Sequence, residues 1–215
     1  MLLVLGTHNR KKGVELEKLL QPFGFELKTL ADYPNSIEVV EDGDSFEANA
    51  RLKATQQAQH LNQWVIGEDS GLCVKALNGE PGIHSARFSG DDATDEKNNA
   101  ELLHRLEGVP QAKRGAFYVC HVTLADPNGT VAIDCEDTCH GQIVTVPRGG
   151  GGFGYDPLFE IREYHKTFGE LGSTVKSTLS HRSRAIRRFV PQLLHLAEKL
   201  DWDLAEAKKN GQAAN

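Results

Sequence analysis

Two acidic segments carry the strongest chemical signal in this sequence, Glu41-Asp42-Gly43 and Glu68-Asp69-Ser70-Gly71. The second follows directly on an apolar run, Trp64-Val65-Ile66-Gly67, and carboxylates are rarely buried without a partner. Hard Mg²⁺ binds through a few carboxylates together with phosphate oxygens and water. Glu41 and Asp69 could share such an ion, and Asp69 or Glu68 could orient a water nucleophile. The plainer alternative is an acidic turn and a strand-end aspartate that closes a tight turn.

Three further clusters offer groups for a phosphorylated, ring-bearing ligand. The first is Thr7-His8-Asn9-Arg10-Lys11-Lys12, where an apolar strand gives way to a helix. Backbone N–H groups at a helix start attract phosphate, and a lysine adds full charge. The stretch lacks the paired glycines of a P-loop, so a solvated helix start is its alternative. The second is the glycine-rich run from Arg148, in which Phe153, Gly154, Tyr155 and Asp156 follow four glycines. Glycine permits close backbone approach, the aromatics offer flat faces for a base, and Asp156 offers an acceptor. A flexible hairpin loop is the alternative there. The third is Lys176-Ser177-Thr178-Leu179-Ser180-His181-Arg182. Its cations suit phosphate or a base carbonyl, and His181 can donate or shape the loop. A capped basic helix start is the competing account.

Weaker signals surround these. Lys53 shares a helical face with Asn49 and could reach phosphate, although a solvated lysine is the commoner outcome. The run from Ser85 to Gly90 could be a loop near the site. Cys135, Cys139 and His140 have zinc-like spacing but lack a fourth ligand.

The elements that must position these groups follow from hydrophobic period and turn chemistry. Residues 2–6 read as a buried strand. A helix follows to Pro22 and Gly24, then a strand over residues 25–30. Asp44, with Glu47 three residues on, predicts a capped helix carrying Phe46, Ala50, Ala54, Ala58 and Leu61 on one stripe. Residues 64–67 and 72–77 read as two strands flanking the acidic group. Thr94 caps a helix over residues 95–107. Residues 116–125 and 131–146 form a long hairpin about Asp126-Pro127-Asn128-Gly129. A last helix spans residues 183–200, with Pro191 expected to kink it. The expectation is an α/β fold with a central mixed sheet, flanking helices, a long antiparallel hairpin, and two lobes around a cleft. One domain should occupy residues 1–200, and residues 201–215 should form a fraying tail.

Composition bounds the partners. The chain has 215 residues, 39% hydrophobic and 25% charged, with a net charge of −6. That balance argues against a general nucleic-acid binder, which needs a basic face. The opening apolar run is too short for a signal peptide, and no run reaches the ~20 residues of a membrane span. Four cysteines without a disulfide framework suit a reducing compartment, so the cytoplasm is expected.

Seven motifs, in order, resemble the inosine/xanthosine triphosphate pyrophosphatase family. They are Thr7-x-Asn9-x-x-Lys12; Glu41-x-Gly43; Ser45-Phe46 with Asn49-Ala50 and Lys53-Ala54; Asp69-Ser70-Gly71-Leu72; Pro81-Gly82 with Ser85-Ala86-Arg87; Gly152-Phe153-Gly154-Tyr155-Asp156-Pro157; and Lys176 with Ser180-His181-Arg182. The resemblance implies hydrolysis of inosine, deoxyinosine and xanthosine triphosphates to the monophosphate and pyrophosphate. By position it implies Glu41 and Asp69 as Mg²⁺ ligands, with Asp69 also the catalytic base. It implies Thr7, His8, Asn9, Arg10, Lys11, Lys12 and Lys53 at the triphosphate, and Ser70 against substrate. Phe153, Gly154, Tyr155, Asp156, Lys176, His181 and Arg182 would hold the base. A homodimer is implied too. Three positions depart from many relatives: Ala48 replaces a second glutamate, Glu68 stands for aspartate, and His8 is an unusual first-loop residue.

Overall fold

The computed structural model describes residues 1–204. Fraying of residues 205–215 lies outside the described residues. The chain runs β1 (Leu2–Leu5), α1 (Arg10–Leu20), β2 (Glu26–Thr29), α2 (Phe46–Leu61), β3 (Val65–Val74) and α3 (Asp95–Arg105). It continues with β4 (Gly115–Ala125), β5 (Val131–Ile143), β6 (Phe159–Ile161), β7 (Lys166–Thr167), α4 (Ser173–Leu179) and α5 (His181–Lys199). The strands make one mixed sheet in the order β2-β1-β3-β4-β5-β6-β7. β2, β1 and β3 are parallel, and every pair from β3 onward is antiparallel. This is the expected α/β arrangement.

The acidic group does not interrupt a strand, as the sequence suggested. β3 is continuous from Val65 to Val74 and pairs without a break with β4, so that Asp69 faces His121 and Val65 faces Ala125. Glu68, Asp69 and Ser70 therefore sit in mid-strand, paired to β4 and just past the end of the β1 pairing. Alternation along a strand sends Gly67, Asp69 and Gly71 to one face and Glu68 and Ser70 to the other. α2 covers the first face and α5 the second.

Other boundaries move for local reasons. α2 is capped by Ser45, not Asp44: the Ser45 hydroxyl accepts from Ala48 N at 3.2 Å on an extended backbone. Glu47 instead pairs with Arg51 one turn on. α5 begins at His181 because Ser180 Oγ accepts from Ser183 N at 3.3 Å, and the helix continues through Pro191. β6, β7 and α4 went unread, being three, two and seven residues long, too short to show a period.

Three apolar clusters hold these layers. One joins β1, α1 and α5 through Leu3, Leu5, Leu16, Phe189 and Leu193. A second packs Val4, Ala54, Ala58 and Val65 beneath α2. The third lies beyond the cleft, where Leu102, Leu158, Phe159 and Phe168 gather with Tyr118. Trp202, near the end of the described residues, packs edge-on to Trp64 with centroids 4.9 Å apart and closes the first cluster.

α2 approaches β3 closely because Gly67 has no side chain. A Cβ there would stand 2.2 Å from Ala50 O and 2.6 Å from Ala54 N, both backbone atoms that cannot swing away. Gly67→Ala should therefore cost about 2–3 kcal/mol, the upper part of the overpacking range. At this size that is roughly 5–10 °C in thermal unfolding. A melting temperature within a degree of the parent would show that α2 can ride outward without penalty.

Candidate active site

A cleft of about 390 Å³ opens where β1, β3 and the starts of α1 and α5 converge. Its acidic side is Glu41 and Asp69, with Lys53 between them. Lys53 Nζ donates to Asp69 Oδ1 at 2.8 Å and to Glu41 Oε2 at 3.0 Å. Burial opposes the Lys53 charge, but Asp69 and Glu41 outweigh it and raise its pKa. Asp69 Oδ2 is buried with no hydrogen-bond partner among the described residues. Burial pushes the Asp69 carboxyl above the usual aspartate range, despite the pull of Lys53 and Lys12.

Its neighbour in sequence is treated in the opposite way. Glu68 is 1% exposed. On the far face of β3, its Oε1 accepts from Arg182 Nε at 3.2 Å and Nη2 at 2.9 Å. Lys12 Nζ lies 3.1 Å from Oε2, outside hydrogen-bonding geometry, so that contact is an ion pair alone. Cys120 Sγ donates at 3.4 Å. Burial alone would raise the Glu68 pKa, but Arg182 and Lys12 hold it well below the ordinary value of 4.5.

The strand-to-helix turn after β1 is organised by Asn9. Its Oδ1 accepts from Lys11 N at 3.0 Å and Lys12 N at 3.2 Å, and Asn9 N donates to Thr7 Oγ1. Those helix-start N–H groups are thus already satisfied, so anion attraction here falls mainly to the Lys12 ammonium. Thr7, His8, Asn9 and Lys12 line the cleft; Arg10 and Lys11 do not. Lys11 instead pairs with Asp95 at 2.8 Å and stands 5.7 Å from the Phe153 ring centroid.

The opposite wall comes from the glycine-rich loop. Asp156 Oδ2 accepts from Phe153 N at 2.8 Å and Lys176 Nζ at 2.7 Å, so this carboxylate folds the loop. Gly152 adopts φ +77°, and a Cβ there would strike Asp156 Oδ2 at 1.9 Å. Phe153 has Lys176 Nζ 4.5 Å and Arg182 Cζ 5.9 Å from its centroid, within cation–π range. Tyr155 OH donates to Ser85 O at 2.8 Å, which ties the loop to the run 85–87 that also lines the cleft.

Arg182 is not the free donor the sequence suggested. It is 1% exposed and bonds Glu68, Glu15 and Ser70 Oγ, spending four of its five N–H groups. His181 stacks on Tyr118 with centroids 4.5 Å apart and an interplanar angle of 11°. Burial first, and Arg182 second, hold its pKa well below the usual histidine value, so the ring is neutral. Tyr118 and Glu15 went unread in the sequence. Glu15 accepts from both Lys176 and Arg182, and its local sequence gave no signal of this, because Lys11, Lys12 and Lys18 stand at helical spacing and make it read as a solvated acid.

The donor set fits a hard divalent cation. Lys53 shows that Glu41 and Asp69 come within reach of one positive centre, and Asp69 Oδ2 retains unused lone pairs. Two carboxylates completed by substrate oxygens and water are the usual protein share of a Mg²⁺ shell. Cys135 and Cys139 are free thiols, and no cluster of three metal-ligating side chains is found among the described residues.

A mixed α/β sheet with a cleft walled by paired carboxylates and buried lysines defines the class. The Ham1 family profile matches residues 3–192, and the chain belongs to that family. A dITP/XTP pyrophosphatase from Rhodopirellula baltica is 56% identical over 91% of this chain and 94% of its own length. One from Desulforamulus reducens is 45% identical over 87% and 93%. Among solved structures, a HAM1 protein from Coxiella burnetii superposes with a TM-score of 0.83 at 30% identity, covering 91% of this chain and 99% of its own. The Staphylococcus aureus Ham1 protein gives 0.80 at 34%, covering 92% and 100%.

The two adjacent acids should part company in stability. The depressed pKa of Glu68 means its charge stabilises the fold fully above pH 4.5, and that contribution drains away as pH falls below it. The raised pKa of Asp69 has the opposite sign: its charge is a cost at neutral pH that protonation relieves. Glu68→Gln should thus lose about 3 kcal/mol at pH 7 by stranding Arg182 and Lys12, whereas Asp69→Asn, which relieves a buried charge and leaves Lys53 its bond to Glu41, should lose less. Thermal unfolding of both at pH 7 checks this, and equal losses would contradict the assignment.

Proposed function

We propose that this chain hydrolyses deaminated purine nucleoside triphosphates (ITP, dITP and XTP) to the monophosphate and pyrophosphate. The observation that carries the reading is Asp69 Oδ2, a buried carboxylate oxygen without a partner among the described residues, on the wall of a cleft otherwise rich in cations. The names of the similar proteins support dITP and XTP among these. Mg²⁺ bound by Glu41 and Asp69 would supply Lewis-acid neutralisation of the phosphate charge.

The residues divide the remaining work. Lys12 and Lys53 hold non-bridging phosphate oxygens and offset charge as it develops, the main catalytic device in phosphoryl chemistry. Asp69 Oδ2 takes a proton from water as its oxygen attacks the α-phosphorus. The new P–O bond forms as the bond to the bridging α–β oxygen breaks, and pyrophosphate departs. A carboxylate with a raised pKa is a better base for this step than an exposed aspartate. Thr7 and Asn9 shape the phosphate end, and Ser70 borders it.

The base lies against Phe153 and Tyr155. Hypoxanthine and xanthine carry a carbonyl at position six where adenine has an amine, so a donor there rewards them. With Arg182 committed to Glu68, Glu15 and Ser70, Lys176 and neutral His181 are the donors of this region best placed to serve. We assign the chain to a cytoplasmic homodimer, as the resemblance implies. No helix among the described residues is long and apolar enough to cross a membrane.

With Mg²⁺ present, the parent should release pyrophosphate from ITP, dITP and XTP, and ATP should be a poor substrate. Asp69→Asn should lose at least about 10³-fold in kcat, consistent with removal of a general base and metal ligand together. Separate assays for pyrophosphate and orthophosphate decide the reading: orthophosphate as product, or near-parent turnover by Asp69→Asn, would refute it.

A further inference from the structure

Residues 33–45 form no helix or strand, yet Glu38, Val39 and Glu41 from this segment wall the cleft. Something other than a sheet ladder must fix their path, because an irregular segment pays its ordering entropy without that support. The structure shows what does so. Asn49, Lys53, Gln57 and His60 are spaced at one-turn intervals along α2 and share one face. Each holds a different point of the segment. Asn49 Oδ1 accepts from Gly43 N at 2.9 Å, and Lys53 Nζ donates to Glu41 at 3.0 Å. Gln57 Nε2 donates to Ile37 O, and His60 Nε2 donates to Asn35 O at 2.6 Å. The contacts run in reverse order along the segment, so it lies antiparallel to the helix.

Two of these four belong to motifs already assigned. Gln57 and His60 do not, and Gln57 is 1% exposed on the cleft wall. Glutamine is rarely so buried, and here its Oε1 has no partner among the described residues. An orphaned acceptor is costly, so the amide's contribution lies in its Nε2 donor, which engages the Ile37 carbonyl. We infer that Gln57, supported by His60, is a positioning residue for Glu41: by gripping the Ile37 carbonyl it fixes the segment that brings Glu41 to Lys53 and Asp69. The inference rests on the proposed reading of Glu41 as a cation ligand.

The test uses the full chain in four forms: parent, Gln57→Leu, His60→Ala and Glu41→Gln. Mn²⁺ alone is titrated and followed by its electron paramagnetic resonance signal, and a glutamyl endopeptidase probes Glu38 and Glu41. Gln57→Leu should bind Mn²⁺ at least about tenfold more weakly, as loss of an outer-shell support does elsewhere. Its segment should also be cleaved several-fold faster, with the melting temperature held, because local opening alone has changed. His60→Ala should shift both readouts the same way by less. Parent-like Mn²⁺ affinity in Gln57→Leu, beside weakened affinity in Glu41→Gln, overturns the inference. If Glu41→Gln binds Mn²⁺ like the parent, the ligand reading falls instead. Cleavage then decides alone, and an unchanged rate in Gln57→Leu overturns the positioning role.

Discussion

The constraint on which the rest of the structure depends is the burial of two adjacent carboxylates in a central strand. Glu68 and Asp69 pair with β4 on one side, just past the point where β1 leaves β3, and both are buried beneath helices. A buried charge is tolerable only when paired, so each must find a cation where it points. Strand alternation sends them to opposite faces, and so each face needs its own supply. α1 and α5 deliver Lys12 and Arg182 to one face, and α2 delivers Lys53 to the other. The placement of three helices is thus tied to one dipeptide. Gly67 and Gly71 flank Asp69 on its own face and let α2 and Phe46 sit close enough for Lys53 to reach.

The same chemistry serves two ends because the environments differ. Glu68 takes a guanidinium and a thiol on Oε1 and a close ion pair with Lys12 at Oε2, and these cations hold it as a structural anion. Among the described residues Asp69 is hydrogen-bonded through Oδ1 alone, and burial raises its pKa. Pairs of acids whose surroundings push their pKa values apart are how a fold assigns separate roles to like groups. A one-residue slip in the register of β3 would exchange the two environments, which the unbroken ten-residue pairing with β4 prevents.

The polar clusters were legible in the sequence because each gathers its residues within a few positions. The hairpin was legible from its turn, and α2 from its alanine stripe. The mid-strand setting of the acids was not, since Glu-Asp-Ser-Gly has the composition of a turn and the cations that cancel it are remote. Arg182 lies 114 positions from Glu68. Glu15 was hidden for the same reason: its partners Lys176 and Arg182 are 161 and 167 positions away, and an acid in α1 reads as solvated. Asn9 shows a subtler failure. Its type marked a helix start, but not that its own side chain would satisfy the N–H groups offered to phosphate.

These remote pairs join into one chain of alternating charge. Glu68 contacts Arg182, Arg182 contacts Glu15, Glu15 contacts Lys176, and Lys176 contacts Asp156. Asp156 then holds Phe153 N, the point from which the glycine-rich loop presents its aromatics. A loop with glycines at φ +77° and +62° on either side of Phe153 has little intrinsic reason to adopt one shape. Its order is supplied from the sheet, through ion pairs that are mostly buried and therefore weakly screened. Each link also depends on the last, because freeing any member leaves a neighbour's charge uncompensated. The base-side wall and the acid-bearing strand are consequently set by one electrostatic balance, although they lie more than eighty residues apart in sequence.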